Sequence, residues 1–283
     1  MELPRDDRVT TGFLGMSHMG QVAAACWAYR VGLVLEVGER TPLTKPEPRL
    51  ELLMANPRTT DLSRLRECSM VIVSQDVPLG ADGRGDESAI RSLIEEALPY
   101  IASTVFLVIM SQVSPGFTRS IHELRLSKGG VPVFYWVETM VLGQAVERFL
   151  HPERIILGSV VPDAPLPWLV EDAVKQFKCP VLVMKYESAE LCKMAINTCL
   201  ASSIAAATTL ADLGERIGAE WDEIMPALRL DKRIGQHAYI KPNPGLIGGQ
   251  HLIRDLLALK RIGTEHGAET DFLDHLLPRV AVR

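Results

Sequence analysis

Gly15-Met16-Ser17-His18-Met19-Gly20 follows an apolar run that begins at Gly12 and opens a helix-like segment, and Glu36 stands at the end of the next apolar run, from Gly32 to Val37. Strand, glycine turn, helix and a later acidic residue are the order of a dinucleotide-binding βαβ unit. Gly15 would permit the tight turn and Gly20 the close packing of helix on strand. The helix N-terminus, with Ser17, His18 and Met19 around it, would face a pyrophosphate, and Glu36 would accept hydrogen bonds from the adenosine ribose. Ser17 replaces the middle glycine, so its hydroxyl either joins the phosphate contacts or loosens the fit. Glu36 makes NAD the expected cofactor, and Arg40, which offers a cation to a 2′-phosphate, keeps NADP as the alternative. Taken alone, the motif is equally compatible with a glycine-containing turn that holds no ligand.

Outward from this turn, short apolar runs alternate with helix-like segments: Met70 to Val73, Val105 to Met110, Val131 to Tyr135 and Arg154 to Gly158. That alternation predicts an α/β fold, a Rossmann-type doubly wound parallel sheet. The texture changes at Ser188. From Ala189 to about Ile217 proline is absent and small or apolar residues predominate, which predicts one long helix of roughly 40 Å capped by Ser188. The rest reads as helical apart from a proline- and glycine-rich loop between Lys241 and Gly249. Two domains are expected: residues 1–187 as the dinucleotide-binding domain, and residues 188–283 as an all-helical central and dimerisation domain.

A chain of 283 residues with 47% hydrophobic residues can bury one or two cores without disulfides or metals. A net charge of -5 with scattered basic residues leaves no footprint for nucleic acid or anionic lipid. Five cysteines without a C-x-x-C pair read as thiols of a reducing compartment. The longest strongly apolar run is too short for a bilayer and the first residues lack a signal-peptide core, so a soluble, cytoplasmic protein is expected. No metal is expected: His251 and Asp255 supply at most half a site.

Several stretches, in order, resemble the UDP-glucose/GDP-mannose dehydrogenase family. Residues 73–86, including Val77 and Pro78, look like the family's V-x-T-P-L-x-x-D-G-x-x-D loop over the nicotinamide nucleotide, with Val77 in place of threonine. Ser111-Gln112-Val113-Ser114-Pro115-Gly116 is similar to its S-T-V-x-P-G turn, with Gln112 in place of threonine. Glu138, Gly143-Gln144-Ala145 and Pro152 to Gly158 resemble the segment whose glutamate serves acid/base chemistry, with Val137 where its proline would be. Glu190-Leu191-Cys192-Lys193 through Asn197, and then Asp231 to Gly235, resemble the central helix and the D-x-R-I-G segment. On a helix Lys193 and Asn197, four apart, project from one face. An ammonium beside an amide can hold a substrate hydroxyl and stabilise its alkoxide. The resemblance further implies that Arg233 contacts substrate across a homodimer interface formed around the long helix.

Two departures limit what carries over. The family's G-G-x-C-x-x-K-D loop reads Gly248-Gly249-Gln250-His251-Leu252-Ile253-Arg254-Asp255, so the catalytic cysteine is His251 and the lysine is Arg254. The family's C-terminal domain, which holds the nucleotide of the sugar nucleotide, is expected to be absent. The favoured expectation is an NAD(P)-dependent dehydrogenase that transfers one hydride on a small sugar-like or nucleotide-sugar substrate. Lys193, Asn197, Glu138, His251 and Asp255 would surround the reacting carbon, with Gly248, Gly249 and Arg254 near the substrate. A redox-neutral epimerase with retained NAD, and a non-catalytic scaffold, are the alternatives.

Overall fold

The computed structural model describes residues 10–78, 85–243, 245, 247 and 250–280. For residues 250 and 251 it gives their place in a helix. The described residues fall into two compact units, one running to Pro78 and then from Asp86 to Lys193, the other from Met194 onward.

The first unit holds a sheet of eight strands in the order β3-β2-β1-β4-β5-β6-β7-β8. Their ranges are β1 Thr10–Met16, β2 Leu33–Arg40, β3 Arg58–Thr59, β4 Met70–Val73, β5 Phe106–Ile109, β6 Phe134–Trp136, β7 Ile155–Ser159 and β8 Val181–Lys185. Neighbouring strands are parallel except β6 and β7, which pair antiparallel through Tyr135 with Gly158 and Trp136 with Leu157. The strand order reverses at β1 and β4, and ligands of such sheets sit beyond the carboxyl ends of the strands at that point. β4 is Met-Val-Ile-Val, buried throughout, as a central strand covered on both faces must be.

Helix α1 (His18–Arg30) has every residue from Gly20 to Trp27 buried. Its run of alanines admits close packing, and Trp27 anchors the core, edge-on to Phe13 at 5.9 Å and to Trp136 at 5.6 Å. Five further described α-helices belong to this unit: α2 (Leu50–Leu53), α3 (Ser88–Ala97), α4 (Phe117–Ser127), α5 (Ala145–Leu150) and α6 (Trp168–Lys175). Strands β3 and β8 carry no clear period in the sequence: β3 has two residues, and β8 is half-exposed along its length.

The long helix α7 runs Tyr186–Ile217, three residues earlier than its sequence suggests. By length and composition it is the one described helix that meets the requirement for crossing a membrane. Its opening turns nevertheless carry Glu187, Glu190 and Lys193, each engaged by another protein group. The second unit adds α8 (Trp221–Leu230), α9 (Gln250–Glu265) and α10 (Asp271–Val280). Its core gathers Ala201 and Ala205 with Ile247, Leu252, Leu256, Leu276 and Val280.

Candidate functional site

The glycine turn has the shape of a cradle. Gly15 sits at φ +88°, and a Cβ there would come within 2.6 Å of the Gln75 Cβ. A Cβ on Gly20 would run into the Gly15 carbonyl oxygen and lie 2.9 Å from Ser74 Oγ. Glycine is therefore required at both places for α1 to seat against the ends of β1 and β4. No side chain caps α1, so the first-turn amides and the positive end of the helix are available to an anion. These features fit a dinucleotide pyrophosphate.

Ser17 faces inward. Its hydroxyl donates to Ser74 O at 3.1 Å and accepts from Asp76 N at 2.9 Å, so it joins the turn to the segment after β4 instead of reaching out to phosphate. The strand-end position expected for Glu36 is corrected. β2 does not end at Val37; it continues to Arg40 through an irregularity in which Leu14 pairs with Val37 but Met16 pairs with Arg40. An extra residue accommodated there shifts the register. Glu36 consequently lies opposite Phe13, and the residue beside Gly15 is Gly38, whose ideal Cβ is 3.8 Å from Gly15 N. Glu36 is fully buried and takes both ends of the Arg40 guanidinium at 2.8 Å and the Asn56 amide at 3.0 Å. Its acceptors are committed to protein donors, which also occupies Arg40.

His18 was read from sequence as a member of the turn, and its partner was not. Its ring is buried, with Nε2 3.0 Å from Glu47 Oε1 and Nδ1 accepting from Thr44 N at 3.1 Å. Glu47 also accepts from Gly143 N at 2.6 Å and Ala145 N at 2.9 Å. Only an acidic residue amid Lys45, Pro46 and Pro48 hinted at this in the sequence.

Lys193 is 8% exposed, and its Nζ lies 3.7 Å from Glu138 Oε2. Glu138 follows β6 and also accepts a hydrogen bond from Met140 N. Beside it is a small concavity lined by Trp136, Met140, Arg148, Arg154 and Phe177. In the second unit Asn197 Nδ2 donates to Asp255 Oδ2 at 2.6 Å, and Arg254 Nε stands 3.5 Å from Asp255 Oδ1. Asp255 is almost wholly buried. Holding the Asn197 amide nitrogen in this way leaves its oxygen for another partner.

Val77 is buried, Pro78 exposed, and Met19 and Gln112 half-buried. Arg233 is exposed and grips Asp231 through Nε at 3.0 Å and Nη2 at 2.6 Å. Gly248, Gly249 and the His251 side chain lie outside the described residues. Glu190, at 0% exposure, accepts from Gly116 N at 2.7 Å and Thr118 N at 2.8 Å, capping α4. Burial pushes its pKa up to about 7, against the opposing pull of the Thr118 and Gly116 hydrogen bonds.

The central domain of the UDP-glucose/GDP-mannose dehydrogenase family matches residues 187–278. The UDP-glucose 6-dehydrogenase of Rickettsia bellii is 29% identical over 221 residues, 75% of this chain and 49% of that protein. The solved UDP-glucose dehydrogenase of Pyrobaculum islandicum superposes with a TM-score of 0.85 at 25% identity, covering 99% of this chain and 69% of the other. These matches support the nucleotide-sugar dehydrogenase family for this chain. It spans about half the length of the curated relatives it matches. Mycobacterium tuberculosis 3-hydroxyisobutyrate dehydrogenase shares the fold at a TM-score of 0.70 and 15% identity, covering 95% of this chain and 91% of that one. Within the family's central-domain match lie Glu190, Lys193, Asn197 and Asp255.

Proposed function

We propose that the protein is an NAD(P)-dependent oxidoreductase that transfers a single hydride between an alcohol carbon and a dinucleotide, on a sugar-like or nucleotide-sugar substrate. The observation that carries this reading is the mostly buried Lys193 beside Glu138, with Asn197 one turn further along the same helix. A lysine is costly to bury, and a solvated helix face would not need one here. A bound dinucleotide supplies the hydride acceptor. Lys193 polarises the substrate hydroxyl and stabilises the alkoxide as the hydride departs. In the second unit Asn197, its amide nitrogen held by Asp255, keeps its oxygen for a further hydrogen bond. Glu138 takes up the released proton.

Stopping at the carbonyl follows from the thiols. A second oxidation through a covalent intermediate needs a thiolate at the reacting carbon. His251 stands at the loop position that would provide it. Cys192 points about 100° round the helix from Lys193, and Cys199 is exposed. A single-hydride alcohol dehydrogenase also suits the fold shared with 3-hydroxyisobutyrate dehydrogenase.

Titration calorimetry should show saturable NAD or NADP binding that Gly20→Trp abolishes. Once a turnover substrate is found, one equivalent of reduced dinucleotide per substrate is expected. Lys193→Met should lower kcat on the order of a hundredfold. Two equivalents with an acid product would refute the single transfer. A non-catalytic homologue is the competing reading, favoured by the committed Glu36 and Ser17 side chains, and absence of binding for both cofactors at high concentration would select it. A homodimer in the cytoplasm goes with the enzymatic reading, with a second copy covering exposed Leu210, Leu213 and Ile217 on α7.

A further inference from the structure

We propose that Glu47 is a positioning residue that couples the dinucleotide turn to the loop carrying Glu138. The inference rests on the reading above, in which a dinucleotide binds at the α1 N-terminus and Glu138 handles a proton.

His18 is the first residue of α1, so its backbone moves with the amides that would meet a pyrophosphate. Its side chain points the other way, into the protein. Because Thr44 N donates to Nδ1, the ring proton sits on Nε2 and is given to Glu47. Glu47 then accepts two backbone amides, Gly143 N and Ala145 N, from the turn that leads from Glu138 into α5. Within that turn Gln144 N bonds locally to Val141 O, and Gly143 adopts φ +86°. The Glu47 carboxylate is thus the side-chain anchor from which the 143–145 turn hangs. Lys45, two residues earlier, also reaches Leu142 O with its ammonium at 3.4 Å.

The chain of contacts runs from the cofactor turn through His18 and Glu47 to the Glu138 loop, and ends at Lys193, 3.7 Å from Glu138. His18 and Glu47 are 2% and 6% exposed, so water cannot readily replace either partner if the geometry shifts. Anything that draws the first turn of α1 toward a phosphate acts on His18, then on Glu47, and then on the amides that set where Glu138 stands. Had Glu47 only to fix the 41–49 loop, no bond to the Glu138 turn would be required.

Amide hydrogen exchange of the intact protein, with and without NAD or NADP, tests this without a substrate. Saturating dinucleotide should slow exchange across residues 138–147 in the wild type. Glu47→Gln, which offers one acceptor oxygen where two are used, should abolish that ligand-dependent slowing while dinucleotide affinity stays within about threefold. His18→Gln retains one donor and one acceptor and should preserve the coupling; His18→Leu should lose it. This pair keeps the test decisive if Glu47→Gln fails to fold. Binding without slowing in the wild type, slowing that survives in Glu47→Gln, or equal behaviour of the two His18 variants would each overturn the coupling and leave the proposed activity standing. Failure of the wild type to bind any dinucleotide would overturn both.

Discussion

The two compact units differ in how they treat their apolar side chains. In the first, Trp27, Phe13, Ile72, Trp136 and Phe177 interlock with almost no exposure, and the aromatic rings meet edge to face. In the second, α8 has no buried residue, and Leu210, Leu213, Ile217 and Leu230 are at least half in water. The first unit closes its own core, leaving scattered side chains such as Leu52 and Trp168 in water, and the second exposes several along one helix, apolar surface of the kind that interfaces use.

The sharpest way to break that contrast is to delete a large side chain from each unit. Trp27→Ala should cost about 4 kcal/mol in urea unfolding, because it leaves a cavity and an unpaired Thr11 hydroxyl. Ile224→Ala on α8 should cost below about 1 kcal/mol, since that side chain is 36% exposed. Similar losses in both would show that the second unit is packed as tightly as the first.

Next in size is a pH effect belonging to the first unit. Glu190 has its pKa raised from 4.5 to about 7 in the folded protein, so the protonated carboxyl favours folding. Its contribution is complete below about pH 4.5 and is lost as pH rises through about 7, a change of up to about 3 kcal/mol. Denaturation midpoints should fall between pH 5 and pH 8, and Glu190→Gln should flatten that fall. A wild-type profile that rises over this interval would remove Glu190 as its cause.

The smallest effect on folding, and the largest on assembly, is expected on α7. Light scattering at micromolar concentration should find a dimer, and Leu213→Glu should give monomer with unfolding free energy changed by about 1 kcal/mol or less. A wild-type monomer would mean that the second unit's apolar surface serves something other than a second copy.

Much of this could be read from the residues. The glycine turn and the alternation that builds the sheet follow local rules of period and spacing, whereas the Lys193 and Asn197 pair stands out only through the family resemblance. The end of β2 is not legible because Gly38 looks like the end of a strand, whereas hydrogen bonding carries β2 past it to Arg40. β3 and β8 escaped because short or half-exposed strands show no period of their own. The Glu47 and Glu190 anchors join backbone amides distant in sequence, 96 and 74 residues away for Gly143 and Gly116, and amides leave no mark in a sequence.

Gly38 also bears on how this chain can change. Its φ of +120° is one that L side chains rarely adopt. An aspartate placed there to grip a ribose would have to overcome that strain as well as reach the right atom. For a side chain to be accepted at position 38 the irregularity in β2 would have to be removed first, and with it the spacing that lets Arg40 close on Glu36. Position 38 is therefore held as glycine by backbone geometry.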